Sequence, residues 1–294
     1  MEKTPTPEEQ IAAIIDLAIA EDLGYGDVTS EILIPPELEG RAIIIARETG
    51  IVAGVEVAGR VFHRVDPSII FTLLCKDGAA VEPGAKIAEV GGRVISILNA
   101  ERTALNFLQR LSGIASMTAK YTAEMQGLET YIADTRKTTP GLRRLEKHAV
   151  SMGGGRNHRL HLGDGILIKD NHLAALRAIG LSLKEIVARA KKNAPRGLKV
   201  EVEVDSVPEA MEAAEAGADI IMLDNMSPDE MRQAAKSLKG RVQIEASGGI
   251  NLSNVRQAAL TGVDFISVGA LTHSPRALDI SLEFDLDSFK SIRL

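Results

Sequence analysis

The stretch LKVEVEVDSVPEAMEAAEAGADIIMLDNMSPDEMRQAAKSLKGRVQIEASGGINLSNVRQAALTGVDFISVG (198–269) decides the fold. Four β-rich runs, VEVEVDS, ADIIMLDN, VQIEASGG and VDFISVG, alternate in it with polar segments of helical texture. Strands spaced by helices pair in parallel, because a parallel connection needs room for a crossover. Upstream, TYIADTR (130–136) and ILIK (166–169) bring the series to six. Six is fewer than the eight strands of a full TIM barrel, so the natural closure is a parallel barrel or partial barrel.

Between those two upstream strands lies a basic run. From Asp134 to His172 it holds eight Lys/Arg against four acids, in a chain whose net charge is −6. A cationic pocket in an acidic protein suits a small, highly charged anion better than a nucleic acid or a membrane surface. Pro140 and Gly141 open a helix through His148 to Ser151, and GGG at 153–155 breaks it. Arg143, Arg144 and Lys147 read as a solvated helix face. Thr135, Arg136, Lys137, Arg159 and Lys169 sit instead at strand ends and in Gly-rich loops, where α/β sheets and barrels carry their sites.

Glu201, Glu203 and Asp205 share one strand face, since the side-chain period is two. Carboxylates crowded into a barrel repel unless cations or a metal answer them, and the next strand adds Asp224. The last two strands end in ASGGI (246–250) and SVGALTHS (267–274), whose small residues let backbone N–H groups approach an anion, with a helix expected from about Asn251. His273 stands beside the second loop.

The first part of the chain is different. Residues 8–21 have apolar spacing for a helix, and Asp27 and Thr29 in LGYGDVTS read as turn and cap residues. From Gly40 to Ser96 the texture is mostly β, interrupted by a short helix, VEVAGRVFHRV (55–65). VEPGAKIAEVGG (81–92) is similar to the tight hairpin of biotinyl-lipoyl-type sandwich domains; Lys86 lies past its turn and is not read as a modified lysine. A long helix over 99–125 buries Leu105, Leu108, Leu111 and Ile114, with Gly113 allowing close approach. Arg102 reads from sequence as a surface charge near its start. A second helix is expected over 173–193.

Composition narrows the class. The 294 residues are 45% hydrophobic and 25% charged, with 3% aromatics and no Trp. That is ordinary for a globular protein and poor for a base-stacking surface. No apolar run reaches a membrane span, and the N-terminus is polar and acidic. The one cysteine, Cys75, reads as a packed thiol in the strand FTLLCKDG. A cytoplasmic enzyme without nucleic-acid or membrane partners is expected.

ADTRKTTPGLR (133–143), GGGRNHR (153–159) and LIKDNH (167–172) closely resemble quinolinate phosphoribosyltransferases, in order and spacing; EDLGYGDVT (21–29) resembles the start of the same family. The resemblance covers roughly residues 10–285 and is weakest over 60–95. It implies an open, incomplete β/α barrel of the type II phosphoribosyltransferases (113–274) and an N-terminal α+β sandwich domain (1–112), joined by 275–294. The implied reaction transfers phosphoribosyl from phosphoribosyl pyrophosphate (PRPP) to quinolinate, giving nicotinate mononucleotide, carbon dioxide and pyrophosphate, with Mg²⁺.

Carried over residue by residue, Arg102, Thr135, Arg136, His158, Arg159 and Lys169 bind quinolinate, and Lys137, Glu203 and Asp224 are catalytic. Lys137, Lys169, Asn225, Ser247, Gly248, Gly249, Gly269, Ala270 and His273 hold PRPP and its phosphate. Glu203 and Asp224 meet Mg²⁺ directly or through PRPP. Arg102 is donated across a homodimer interface, with assembly to a hexamer left open. Glu201 and Asp205 do not fall on the family's acidic pair and are expected to pair with Lys or Arg. His161 departs from a glycine in many relatives. Rival readings are a Schiff base on Lys169, a related phosphoribosyltransferase using a monocarboxylate or the molybdenum-linked paralogue, and a non-catalytic phosphate binder or scaffold.

Overall fold

A computed structural model describes residues 5–289. The chain divides into two compact units. One takes the chain up to Ala119, Thr138–Gly154 and the segment from Pro275 onward; the other takes Lys120–Lys137 and Gly155–Ser274. The basic run is therefore shared out: its helix, Arg143–Met152, belongs to the first unit and its strand ends to the second.

In the first unit, Thr6 and Glu9 form a capping box at the head of helix Pro7–Leu23. Asp27 caps the next helix, Val28–Leu33, by accepting the Ser30 N–H at 3.0 Å; Thr29 lies inside that helix. A four-stranded antiparallel sheet runs in the order Ile280–Asp285, Glu39–Ala46, Lys86–Arg93, Ile70–Leu73. Alternation along Glu39–Ala46 puts Ala42, Ile44 and Ala46 in the core.

VEPGAKIAEVGG does not form the expected hairpin. Ala80–Val81 pairs with Gly50–Ile51, and Lys86–Arg93 pairs within the larger sheet, so Pro83 and Gly84 pass the chain between two sheets. Cys75 is half-buried beyond the end of strand Ile70–Leu73, not packed within it. Burial and then Asp77 push its thiol up.

Helix Val94–Ala123 starts before Asn99 and fully buries Leu105, Leu108, Leu111 and Ile114. Gly113 is required where the Arg276 carbonyl crosses the helix: a Cβ there would stand 2.2 Å from that oxygen.

The expected solvated face of Arg143–Met152 is corrected. Glu146 and Lys147 are buried, and Arg143 and Arg144 are half-buried. Glu146 accepts from Arg110 at 2.8 Å and from the Thr139 hydroxyl at 2.7 Å. Arg144 donates to Gln10 at 2.7 Å.

The second unit holds six parallel strands: Tyr131–Ala133, Ile166–Ile168, Val200–Val204, Ile220–Asp224, Gln243–Ser247 and Phe265–Ser267. Taken as first to sixth, they are ordered first, sixth, fifth, fourth, third, second. This is the cyclic order of a β/α barrel opened between its first two strands, as expected. Val200, Val202, Val204, Ile221, Leu223, Ile244 and Ile266 are buried on one face, and the alternate residues face the interior.

The single helix expected over 173–193 is two, Asp170–Arg177 and Leu183–Asn193. Gly180, at φ 87°, turns the chain between them, and Ser182 with Glu185 caps the second. The helix expected from Asn251 begins only at Val255 and runs to Ala259, because Asn251 and Asn254 spend their side chains on a turn with Gly249. No helix among the described residues is long and apolar enough to cross a membrane.

Candidate active site

The C-terminal ends of the six strands surround a cavity of about 500 Å³, the size of a small-molecule site. Its cations come from three places. Beyond the first strand stand Thr135, Arg136 and Lys137. The Lys137 N–H donates to Thr135 Oγ1 at 3.0 Å, and Thr272 Oγ1 donates to the Lys137 carbonyl at 2.7 Å, so the lysine backbone is held from both sides.

His158 and Arg159 follow Arg156, which extends the edge of the first strand by a parallel bridge to Ala133. The buried Asp134 accepts the His158 N–H at 2.8 Å. Lys169 ends the second strand. Burial, and then Arg136 beside it, hold the Arg159 guanidinium below its ordinary value. Two guanidiniums that raise each other's cost are relieved by an anion bound against both.

Across the cavity stand Glu203 and Asp224. Burial pushes the Glu203 carboxyl up; Lys169, at 3.7 Å, opposes this and Asp224 adds to it. Two oxygen donors that repel each other at a cavity wall suit a hard divalent cation such as Mg²⁺, so the residues present fit the metal expected.

Asn225 follows at φ 54°, the one non-glycine with positive φ among the described residues. It is held there by its N–H to the Ser247 carbonyl at 2.9 Å and by its amide to Asp224 at 2.8 Å. Gly248, at φ 84°, packs so closely that a Cβ would sit 2.5 Å from Asn225 Cγ.

Ser247, Gly248 and Gly249 line the cavity; Gly269, Ala270 and His273 do not. They adjoin it through Lys137, whose Cδ would stand 3.1 Å from a Cβ on Gly269, as would His273 Nε2. Arg102 is exposed on helix Val94–Ala123 in the first unit and is not among the lining residues.

Sequence reasoning missed Asp134, Leu167, Met222, Glu245 and Ser267 as lining residues. Glu245 is the most consequential. His158 Nε2 lies 3.1 Å from Glu245 and 3.3 Å from Glu201, both acids buried. Glu201 therefore pairs with a histidine, not with the Lys or Arg expected; Asp205 is exposed past its strand. The alternation of the strands alone could have put Glu245 inside, but its partner lies far off in sequence.

Three donors this close could hold a metal, yet the tautomer argues otherwise. The Arg159 N–H, fixed by its peptide plane, donates to His158 Nδ1 at 2.9 Å, so the neutral ring carries its hydrogen on Nε2. Burial opposes charge on this ring, and the two glutamates favour it. An imidazolium, however, has no lone pair for the Arg159 N–H, and that direct bond decides for the neutral ring. Beneath this triad a second cavity, of about 380 Å³, is lined by His158, Glu201 and Phe265 at the opposite strand ends.

His161 is exposed and ordered: its N–H donates to Asp164 at 3.0 Å and its ring meets the same carboxylate at 2.9 Å. Lys169, half-exposed beside Glu203, lacks the apolar setting of a Schiff-base lysine.

Comparison with known proteins agrees with this geometry. Residues 114–283 match the C-terminal domain of quinolinate phosphoribosyl transferase and residues 27–112 its N-terminal domain. A probable nicotinate-nucleotide pyrophosphorylase [carboxylating] of Bacillus subtilis is 42% identical, over 95% of each chain. The chloroplastic nicotinate-nucleotide pyrophosphorylase [carboxylating] of Arabidopsis thaliana is 44% identical over 96% of this chain and 84% of its own. The crystal structure of NadC from Streptococcus pyogenes superposes with a TM-score of 0.90 at 40% identity, over 99% of this chain and 100% of that one. An open parallel barrel with paired guanidiniums facing paired carboxylates, and relatives matched along nearly their whole length, lead to one statement: the chain belongs to the quinolinate phosphoribosyltransferase family.

Proposed function

We propose that the chain transfers the phosphoribosyl group of PRPP to quinolinate with decarboxylation, giving nicotinate mononucleotide, carbon dioxide and pyrophosphate for NAD biosynthesis. The observation that carries this reading is the bipolar cavity, with Arg136, Arg159 and Lys169 beside Glu203 and Asp224. Quinolinate brings two carboxylates, which suit two guanidiniums. Thr135 and His158 complete that side, and Arg102 of one protomer completes it across a homodimer. Its exposure on helix Val94–Ala123 leaves it available for that role.

Lys137 and Lys169 neutralise the donor's phosphates, and Ser247, Gly248 and Gly249, with Gly269, Ala270 and His273, receive the 5-phosphate. Asn225 positions the ribose. As pyrophosphate leaves, positive charge develops at ribose C1, and Glu203 and Asp224 stabilise it. The pyridine nitrogen bonds to C1. The resulting pyridinium accepts the electron pair of the breaking C2–carboxylate bond, carbon dioxide departs, and a proton takes its place at C2. Glu203 and Asp224 would hold Mg²⁺, directly or through PRPP, and the ion would supply countercharge to the pyrophosphate. A cytoplasmic setting belongs to the same reading, supported by the single cysteine.

The test is a mass-spectrometric assay with PRPP, Mg²⁺ and either quinolinate or nicotinate. Nicotinate mononucleotide from quinolinate alone is expected; product from nicotinate alone overturns the arginine assignment. Arg102→Ala raises the KM for quinolinate, whereas Glu203→Ala lowers use of the sugar donor. Unchanged quinolinate affinity in Arg102→Ala sinks the cross-subunit role.

A further inference from the structure

The triad in the barrel core is not explained by holding substrate. Glu245 lies at the cavity wall but has no exposed surface. What it does touch is His158 Nε2, at 3.1 Å. The same ring accepts the Arg159 N–H on its other nitrogen, and the Arg159 guanidinium donates to the Gly165 carbonyl at 3.1 Å. A chain of direct contacts thus runs from Glu245 through the imidazole to the backbone of an anion-binding arginine. We propose that Glu245 is a positioning residue of the anion pocket: as a neutral carboxylic acid it orients the His158 ring, and the ring in turn orients Arg159. This inference rests on the function proposed above.

The neutral form follows from the geometry. Two carboxyls share one Nε2–H, while Glu201 Oε1 and Glu245 Oε1 are buried with no protein donor. One proton placed between the two acids satisfies both oxygens and removes the repulsion of two enclosed like charges. That proton resides on Glu245. Glu201 has the Arg159 charge nearby, whereas Glu245, with no exposed surface, bears the larger cost of burial. Besides His158 and Glu201, Tyr131 on the first strand faces Glu245, and the cavity that Glu245 lines also carries Arg136, Arg159 and Lys169 with Asp134, Glu203 and Asp224. Its same-face neighbours on its own strand, Gln243 and Ser247, are neutral. Burial, in part offset by His158 and reinforced by Glu201, pushes the Glu245 carboxyl up to about 8.

The experiment is a pH series of steady-state kinetics on the full enzyme with PRPP, Mg²⁺ and quinolinate, from about pH 6.5 to about pH 9.5. In the unmodified protein the KM for quinolinate rises on the alkaline side, as Glu245 ionises against Glu201, while the KM for PRPP does not follow. Glu245→Ala raises the KM for quinolinate roughly tenfold at neutral pH. Glu245→Gln, which has the shape and neutrality of the acid, restores most of that loss and removes the alkaline rise.

An alkaline rise that persists in Glu245→Gln overturns the proposal, as does a Gln variant as impaired as Ala at every pH. A flat profile in the unmodified enzyme does the same without needing any variant to fold. Absence of quinolinate turnover in the unmodified protein overturns the reaction assignment itself, so the two failures are distinguishable.

Discussion

One basic run supplies two sets of cations, and they do different things. In Arg143–Met152 the charges are absorbed by the first unit: Glu146 is wholly buried against Arg110 and Thr139, and Arg144 reaches Gln10. At 135–137, 158–159 and 169 the charges stand at strand ends of the second unit, several of them with like neighbours, and line a cavity. Charge density is the same feature in both halves. What separates them is that the first set is packed inside a unit while the second stands at a cavity wall, where a ligand can reach it.

The largest effect expected from breaking this contrast is at the strand ends. Arg136→Ala removes one of two adjacent guanidiniums and lowers kcat/KM for quinolinate by roughly a thousandfold, about 4 kcal/mol, with thermal stability unchanged or raised. A variant that loses stability in proportion to activity would erase the distinction.

Glu146→Ala has the opposite signature. It strands Arg110 and costs about 3 kcal/mol of folding stability, read by denaturant titration, while the KM for quinolinate in the folded fraction stays the same.

Arg144→Ala is smaller, about 1 kcal/mol, since its partner Gln10 is neutral. An activity loss without a stability loss there would move that arginine into the other class.

The smallest effect concerns pH and the helix half. His148 bonds Asp77 at 2.8 Å, and Asp77 also accepts the Gly54 and Val55 N–H groups. That hydrogen bond raises His148 against some cost of burial; burial raises Asp77, but its three bonds outweigh it and lower it. A raised histidine contributes stability that is full below its unfolded value and lost as pH climbs through the folded one. A lowered aspartate contributes stability present above its unfolded value and lost as pH falls through the folded one. Melting temperature therefore declines modestly on the alkaline side of 6.5 and on the acid side of 3.8. His148→Gln flattens the alkaline decline, and the quinolinate KM profile does not change with it.

Much of this architecture was legible. Alternating strand and helix textures showed the six parallel strands, strand-end position pointed to Arg136, Lys137, Lys169 and Asp224, and the family resemblance singled out Glu203 and Asn225; all six line the cavity. Three things were hidden for physical reasons. Lys147 read as surface, whereas it is buried, and its neighbour Glu146 is bound by Arg110 on another helix. Glu245 was not singled out because its partner His158 lies far off in sequence and meets it only in the folded barrel. The start of the helix at Val255 was misplaced because Asn251 and Asn254 satisfy local backbone groups and delay it.

The cyclic strand order has a consequence for how the protein is made. The first strand is synthesised early, yet its ladder partner is the sixth, with Tyr131 opposite Phe265. The third to sixth strands each find a neighbour already made as they emerge from the ribosome, while the first waits for the sixth. Thr135, Arg136 and Lys137 hang from that waiting strand. A nascent chain halted before Phe265 thus carries the strand ends of Glu203, Asp224 and Ser247 but leaves these cations without the strand that seats them.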